Sequence, residues 1–337
     1  MPGRLGRWLR PVIKSVLREP GGEVVVPATR ERIAKRYRLL AQETEPPRPD
    51  MLTKFIEGIE GSRAAVHTKE QSTRPPTKQE QPTPSPPPTK QEQVLFTSTS
   101  VIAAGSDTTS LAIATTLRYV VGNPQCYRKV QAEVDEAFET GRLKEPCAYA
   151  AGVKLEYLQA CIKEALRLHP PISMSLPRVV PAGGDVIDGR FYAAGTIVGV
   201  APFLLHRDTG IWGADAADFK PERWLDSGEA GDQERLKWQS RNFLSFGGGS
   251  RQCIGKNISM MEITKTLPRL FWHFSFRLPP IGDASGKYTR RLSPRGSDGS
   301  ESIHEPWHVS SSWFLNAEEL FMRVEARRPE ELEDLLD

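Results

Sequence analysis

Cysteine is scarce in this chain: the 337 residues carry four, at Cys126, Cys147, Cys161 and Cys253. They have neither the paired spacing of a zinc site nor the density of a secreted disulfide scaffold, so both are excluded and a reducing compartment fits them. A dominant charge is also missing. Forty-five Lys and Arg against 42 Asp and Glu leave a net charge of +3, too small and too dispersed to call for nucleic acid. No uninterrupted apolar run opens the chain, as a secretory signal or membrane anchor would require. Instead Trp8, Leu9, Val12, Ile13, Val16 and Leu17 recur at helical spacing, with Arg4, Arg7, Arg10, Lys14 and Arg18 between them. Such a basic amphipathic helix either packs its stripe on the protein's own core, lies on an anionic membrane surface or serves as an import sequence.

Apolar side chains nearly vanish again between Gly61 and Gln93, where prolines are dense and P-P-T-K-Q-E-Q occurs twice, at Pro75 to Gln81 and Pro87 to Gln93. This stretch cannot bury enough surface to offset its chain entropy and is expected to be a disordered insert. A second polar insert is expected over about 283–305. The remainder, in a chain that is 38% hydrophobic and 26% charged overall, is enough for a substantial core. Three regions follow: a partial N-terminal helical region at 1–60, the insert at 61–93, and a core at 94–337.

Helices dominate the expected structure. Glu31 to Glu60 reads as helical and charged, broken at Pro46 to Pro49. Val94 to Val121 is a long apolar helix pattern ended by Gly122, Asn123 and Pro124. Asp107, Arg118 and many Ser and Thr argue that this helix is buried in protein and not in lipid. Pro124 opens an amphipathic helix with Val130, Val134, Ala137 and Phe138 on one face. Another runs from Leu155 to Leu168 and stops at Pro170-Pro171. Ser175 to Leu205 reads as a small antiparallel sheet punctuated by glycines. Ile258 to Phe271 is an apolar helix whose last turns Pro268 should kink or shorten. Strand-like runs follow around Trp313-Phe314-Leu315 and from Leu320 to Val324.

One loop concentrates the chemistry. Phe246 to Gly255 reads F-G-G-G-S-R-Q-C-I-G, delivering Cys253 to the start of the helical pattern. Gly247 to Gly249 permit positive φ and close approach of backbone to a flat ligand, and Gly255 lets the helix pack tightly. A sulfur near a helix N-terminus and beside Arg251 is expected to favour the thiolate, the form that ligates metal. Three further motifs stand apart from it. Ala104-Gly105-Ser106-Asp107-Thr108-Thr109 places a glycine and an aspartate in the middle of the long apolar helix, where each is costly. Taken alone, those polar groups could serve only to satisfy carbonyls at a helix kink. Glu164 and Arg167 stand at i and i+3, a spacing that brings their side chains together, and Pro221-Glu222-Arg223-Trp224 follows. Arg178 lies in Leu176-Pro177-Arg178 at the entry to the sheet. His169 and His206 have no paired ligand spacing and are assigned no metal.

The pattern F-x-x-G-x-R-x-C-x-G, met at Phe246, Gly249, Arg251, Cys253 and Gly255, resembles the cytochrome P450 family of haem-thiolate monooxygenases, with the flavour of fungal members related to pisatin demethylase. The resemblance covers about Val94 to Ala326 and, more loosely, Glu31 to Glu60. It implies a mainly α fold with small β-sheets, incomplete at the N-terminus. It also implies haem b with Cys253 as the axial iron ligand, Arg251 and Arg178 on the haem propionates and Phe246 beside the sulfur. Gly105 then makes room for oxygen where the helix widens locally, and Asp107 and Thr108 are the acid and alcohol pair that relays protons in dioxygen activation. Glu164, Arg167 and Arg223 become a buried structural triad.

The implied activity is insertion of one oxygen atom into a lipophilic substrate, in secondary metabolism. Electrons come from NADPH through a reductase partner, and peripheral membrane contact is open. A full-length form with an anchor would sit on the cytoplasmic face of the endoplasmic reticulum membrane, and this chain alone in the cytoplasm. Two other readings stand beside it: a truncated member with weak or no haem binding, and a haem-thiolate isomerase or peroxide-using enzyme, which Asp107-Thr108 counts against. The family's N-terminal anchor, first strands and pocket-capping segments are expected to precede residue 1.

Overall fold

A computed structural model of the chain describes residues 22–41, 51–61, 89–278, 309–311, 315–317, 322–328 and 330. The basic amphipathic pattern of residues 4–18, the proline-rich stretch up to residue 88, the polar segment 283–305 and Trp313-Phe314 lie outside them. The chain divides into two compact units, Met1–Ser106 and Asp107–Asp337.

In the first unit, α1 (Gly22–Ala41) and α2 (Met51–Gly61) bear out the helical reading within Glu31 to Glu60, while the expected break at Pro46 to Pro49 lies outside the described residues. Ile33 on α1 and Ile56 on α2 are buried in one apolar cluster with Val94, from the start of α3 (Lys90–Gly122). That helix begins four residues earlier than the loss of polar composition at Val94 suggested. The reason is local: Thr89 accepts from the Glu92 N–H at 3.2 Å through Oγ1, while Glu92 Oε2 accepts from the Thr89 N–H at 2.8 Å. This capping box satisfies orphan donors at the helix start. It also lowers the Glu92 carboxyl below its usual range, chiefly through the Thr89 backbone bond. The T-x-x-E signal lies inside a segment whose composition is that of an insert.

The second unit is mainly α. The later part of α3, α4 (Pro124–Glu139), α6 (Glu156–Leu168) and α10 (Lys256–His273) share a core of Ala112 and Val120, Val130 and Val134, Leu158, Ile162 and Leu166, and Ile263, Leu267 and Phe271. Each fully buried leucine or isoleucine contributes about 1.5–3 kcal/mol over the exposed state. Asn123 does more than end α3: its Oδ1 accepts from the Gln125 and Cys126 N–H groups, capping α4, with Pro124 at the first helical position. Phe138 stacks on Trp272 at 4.4 Å. Leu155 offers no cap to α6, so the Glu133 carboxylate of α4 accepts from the Tyr157 and Leu158 N–H groups at 2.8 and 2.9 Å.

Three expectations are corrected. Pro268 does not shorten α10, which continues to His273. The Thr264 carbonyl, which a proline cannot satisfy, instead lies against the short α5 (Tyr149–Gly152), where a Cβ on Gly152 would come within 2.8 Å of it. The middle of α3 is not uniformly buried, since Ile102 and residues 104–107 are exposed, and the helix shows no widened turn there. The sheet region stops before Leu205. Strand β1 (Leu176–Val179) pairs antiparallel with β4 (Ile197–Val200), and β2 (Asp185–Ile187) with β3 (Arg190–Tyr192). The chain then turns into α7 (Pro202–Leu205) and α8 (Thr209–Trp212), because Pro202 opens a helical turn.

A 3₁₀ turn at Pro221–Trp224 and α9 (Asp232–Arg241) precede the cysteine loop. After α10, β5 (Phe274–Arg277) pairs with β8 (Arg323–Ala326), and β6 (Val309–Ser311) with β7 (Leu315–Ala317). Arg327, just past β8, is bound twice by Asp135 of α4, at 2.8 Å to each oxygen. Among the described residues no helix is long and apolar enough to cross a membrane.

Candidate functional site

The cysteine loop is built from tight turns. The Gly247 N–H donates to the Leu244 carbonyl at 2.9 Å, Gly249–Arg251 forms a 3₁₀ turn, and the Gln252 N–H closes on Gly249 at 3.2 Å. Gly247 and Gly249 take φ values of +67° and +61°, the left-handed region in which a side chain is strained, while Gly248 is extended. The Cys253 N–H then donates to the Phe246 carbonyl at 2.8 Å, tying the two ends of the loop together. Cys253 is thereby fixed three residues before α10 and is the one exposed cysteine of the four.

The loop is flanked by open backbone and by exposed apolar and cationic side chains. A Cβ on Gly249 would meet nothing within 4 Å, so the backbone there is open to close approach. Ile254 beside the sulfur is 95% exposed, and Ile258 and Met261 of α10 are exposed as well. Arg251 lies exposed on the loop. Leu176, at the start of β1, reaches to within 3.8 Å of where a Gly247 Cβ would stand, so the strand that carries Arg178 packs on the loop. Arg178 is exposed and bonds the Pro177 carbonyl at 2.9 Å. Among the described residues no three His, Cys, Asp or Glu side chains converge as a metal site.

Phe246 and Gly255 bound the loop. Phe246 is half-buried against the helical core, with Lys256 Nζ 5.8 Å from its ring centre. Gly255 has φ −83° and leaves 3.8 Å between a notional Cβ and Cys253 Sγ, an ordinary contact, so tight packing does not require it to be glycine.

Behind the loop Glu164, Arg167 and Arg223 do meet. Arg167 holds Glu164 in a two-pronged pair, Nε to Oε2 and Nη2 to Oε1, both at 2.8 Å and both side chains fully buried. Arg223 Nε adds a third bond to Oε1 at 3.2 Å. The Lys220 N–H and Trp224 Nε1 supply two more, at 3.1 and 2.9 Å, so the carboxylate is surrounded by donors. Arg167 also bonds the carbonyls of His206, Ala216 and Asp218, and Arg223 those of Trp212 and Asp215. Trp224 of the P-E-R-W sequence thus joins the cluster through its indole N–H, a role that the motif alone does not signal.

On α3, Asp107 is exposed and Thr108 half-buried, two and three residues beyond the exposed Gly105, where a Cβ would meet nothing within 4 Å. Ser110 Oγ bonds the Asp107 carbonyl at 3.1 Å, and Thr109 Oγ1 reaches Ser259 Oγ on α10 at 3.0 Å. The triad is thus assembled by described contacts, and the loop with Arg178's strand forms a second grouping.

The cytochrome P450 family profile matches residues 77–294. A cytochrome P450 monooxygenase of Emericella nidulans is 34% identical over 234 residues, 69% of this chain and 42% of that protein. Pisatin demethylase of Fusarium vanettenii is 41% identical over 177 residues, 52% of this chain and 32% of that protein. A cytochrome P450 monooxygenase of Alternaria alternata is 31% identical over 229 residues, 68% of this chain and 54% of that protein. The matches therefore span between about a third and about half of the length of these relatives.

Proposed function

The chain belongs to the cytochrome P450 family, and on that premise we propose that it is a haem-thiolate monooxygenase of fungal secondary metabolism. It would insert one atom of dioxygen into a lipophilic organic substrate, with electrons from NADPH passed on by a reductase partner. The observation that carries the proposal is the exposed Cys253, held on a loop of left-handed glycines closed by its own N–H on Phe246. A single soft sulfur is the donor set a haem-thiolate iron takes from protein. Cys253 would hold haem b as the axial ligand, and the guanidinium forks of Arg251 and Arg178 suit its propionates. Bound haem supplies the dioxygen and one-electron chemistry that side chains lack.

The remaining roles belong to the chain's own groups. Gly249 lets backbone approach the macrocycle, and the exposed Ile254 offers it an apolar contact. The Asp107 carboxyl and Thr108 hydroxyl are adjacent on α3, next to a glycine that leaves space, and form a pair that can hold and hand on a proton. Glu164, Arg167 and Arg223 keep the scaffold behind the loop in place and take no part in the chemistry.

The test is spectroscopic. Reduced protein under carbon monoxide should show the red-shifted Soret band of thiolate ligation, and Cys253→Ala should abolish it while leaving far-UV ellipticity unchanged. A band that survives the substitution overturns the assignment of the ligand. Thr108→Ala should keep the band but divert NADPH consumption from product to peroxide; loss of haem in that variant would make Thr108 a structural residue.

A further inference from the structure

His206, set aside in the sequence as a lone histidine, is fully buried at the end of α7 and joins two parts of the site. Its Nδ1 lies 2.9 Å from the Arg167 carbonyl, and its Nε2 lies 2.8 Å from the backbone N of Leu244. A carbonyl can only accept and an N–H can only donate, so the ring carries its proton on Nδ1 and leaves Nε2 as the acceptor. The contact to Arg167 is returned, because Arg167 Nη1 donates to the His206 carbonyl at 2.5 Å. The ring is held from both sides, stacked on Phe243 at 5.5 Å and edge-on to Trp212 at 5.9 Å.

Leu244 is the residue whose carbonyl receives the Gly247 N–H, and so it anchors the first turn of the cysteine loop. Two residues on, the Phe246 carbonyl receives the Cys253 N–H. A second strap, from Ser245 Oγ to the Leu166 carbonyl at 2.8 Å, binds the same turn to the end of α6.

We propose that His206, as the neutral Nδ1–H tautomer, is a positioning residue that couples the Glu164–Arg167–Arg223 cluster to the loop presenting Cys253, fixing the turn at Leu244 from which that loop departs. The ring touches neither the sulfur nor any reacting atom and acts through Leu244. Its burial, with the positive Arg167 and Arg207 nearby, lowers its pKa to about 4, so the acceptor lone pair persists at neutral pH. The consequence for iron ligation rests on the reading of Cys253 given above, but the coupling does not.

The full chain tests this without haem. Nitrogen-15 spectra of the imidazole should show the Nδ1–H tautomer at neutral pH; an Nε2–H tautomer overturns the proposal whatever any variant does. In His206→Leu the Leu244 amide loses its acceptor, and its hydrogen exchange should quicken by about tenfold or more, with a changed rate of thiol labelling at Cys253. In His206→Gln the side-chain amide oxygen reaches the place of Nε2 and can accept from the Leu244 N–H, so both rates should return most of the way to the parent values. Parent-like exchange and labelling in His206→Leu, or equal defects in both variants, overturn the coupling. Should His206→Leu fail to fold, the tautomer and the glutamine variant still decide the matter. Failure of the haem reading would appear separately, as a missing Soret band in parent protein whose loop exchange follows these expectations.

Discussion

Glu164 shows how burial changes the worth of an ion pair. The i, i+3 spacing with Arg167 is common on solvated helix faces, where such a pair contributes little. Here both side chains are fully buried and the carboxylate accepts five bonds, so the exchange of its charge leaves two guanidinium groups facing an inadequate partner. Removing one member of a buried pair costs about 3–5 kcal/mol. Glu164→Gln is therefore expected to lower the unfolding free energy from denaturant titration by that amount, and Arg167→Lys, which cannot reproduce the two-pronged geometry, to do nearly as much. A change under about 1 kcal/mol for Glu164→Gln would mean that the charge is dispensable. The spacing of Glu164 and Arg167 was legible in the chain. Spacing alone said nothing of their burial, which the family resemblance implied and which partners from residues 206 to 224 bring about.

Helix boundaries and close approaches carry the next two expectations. Thr89 and Glu92 cap α3 reciprocally, and Thr89→Ala should cost about 1 kcal/mol. The loss would be visible as fraying of the first turn by amide exchange, with no effect on the triad. Gly152 lies against Thr264, a Cβ there approaching both the Thr264 carbonyl oxygen and Cγ2 to 2.8 Å. The backbone oxygen cannot swing aside as a side chain would, so Gly152→Ala should destabilise by about 1–3 kcal/mol through overpacking. Unchanged thermal stability would show that α5 shifts freely on α10. Amphipathic periodicity revealed α4 and α6 almost to their ends, because their apolar stripes face a single core. It failed at Lys90, where the capping pair outweighed composition, and at Pro268, where a buried helix tolerates a missing hydrogen bond.

For the second unit as a whole, His206 makes acid stability a readout of the packed interior. Its pKa is lowered from the ordinary 6.5 to about 4 by burial first, with Arg167 and Arg207 adding repulsion and the bond to the Arg167 carbonyl opposing it; Trp212 and Phe243 against the ring carry no charge. Between those two values the unfolded chain takes up a proton that the folded protein does not. This contribution to stability is thus complete above about pH 6.5 and is lost as pH falls toward 4. It amounts to at most about 3 kcal/mol. Urea midpoints from pH 7 to pH 4 should fall less steeply in His206→Asn than in the parent, and parallel slopes would remove His206 as the cause. The residue order alone sufficed for the mainly α class, the family and the cysteine loop, because these rest on local periodicity and on a motif contiguous from Phe246 to Gly255. Contacts between distant residues decided the rest: Asp135 with Arg327, Glu133 capping α6, and His206 between Arg167 and Leu244. Each joins residues 24 to 192 positions apart, and such pairings leave no periodic trace in a single chain, since only packing of the core brings their donors and acceptors within reach.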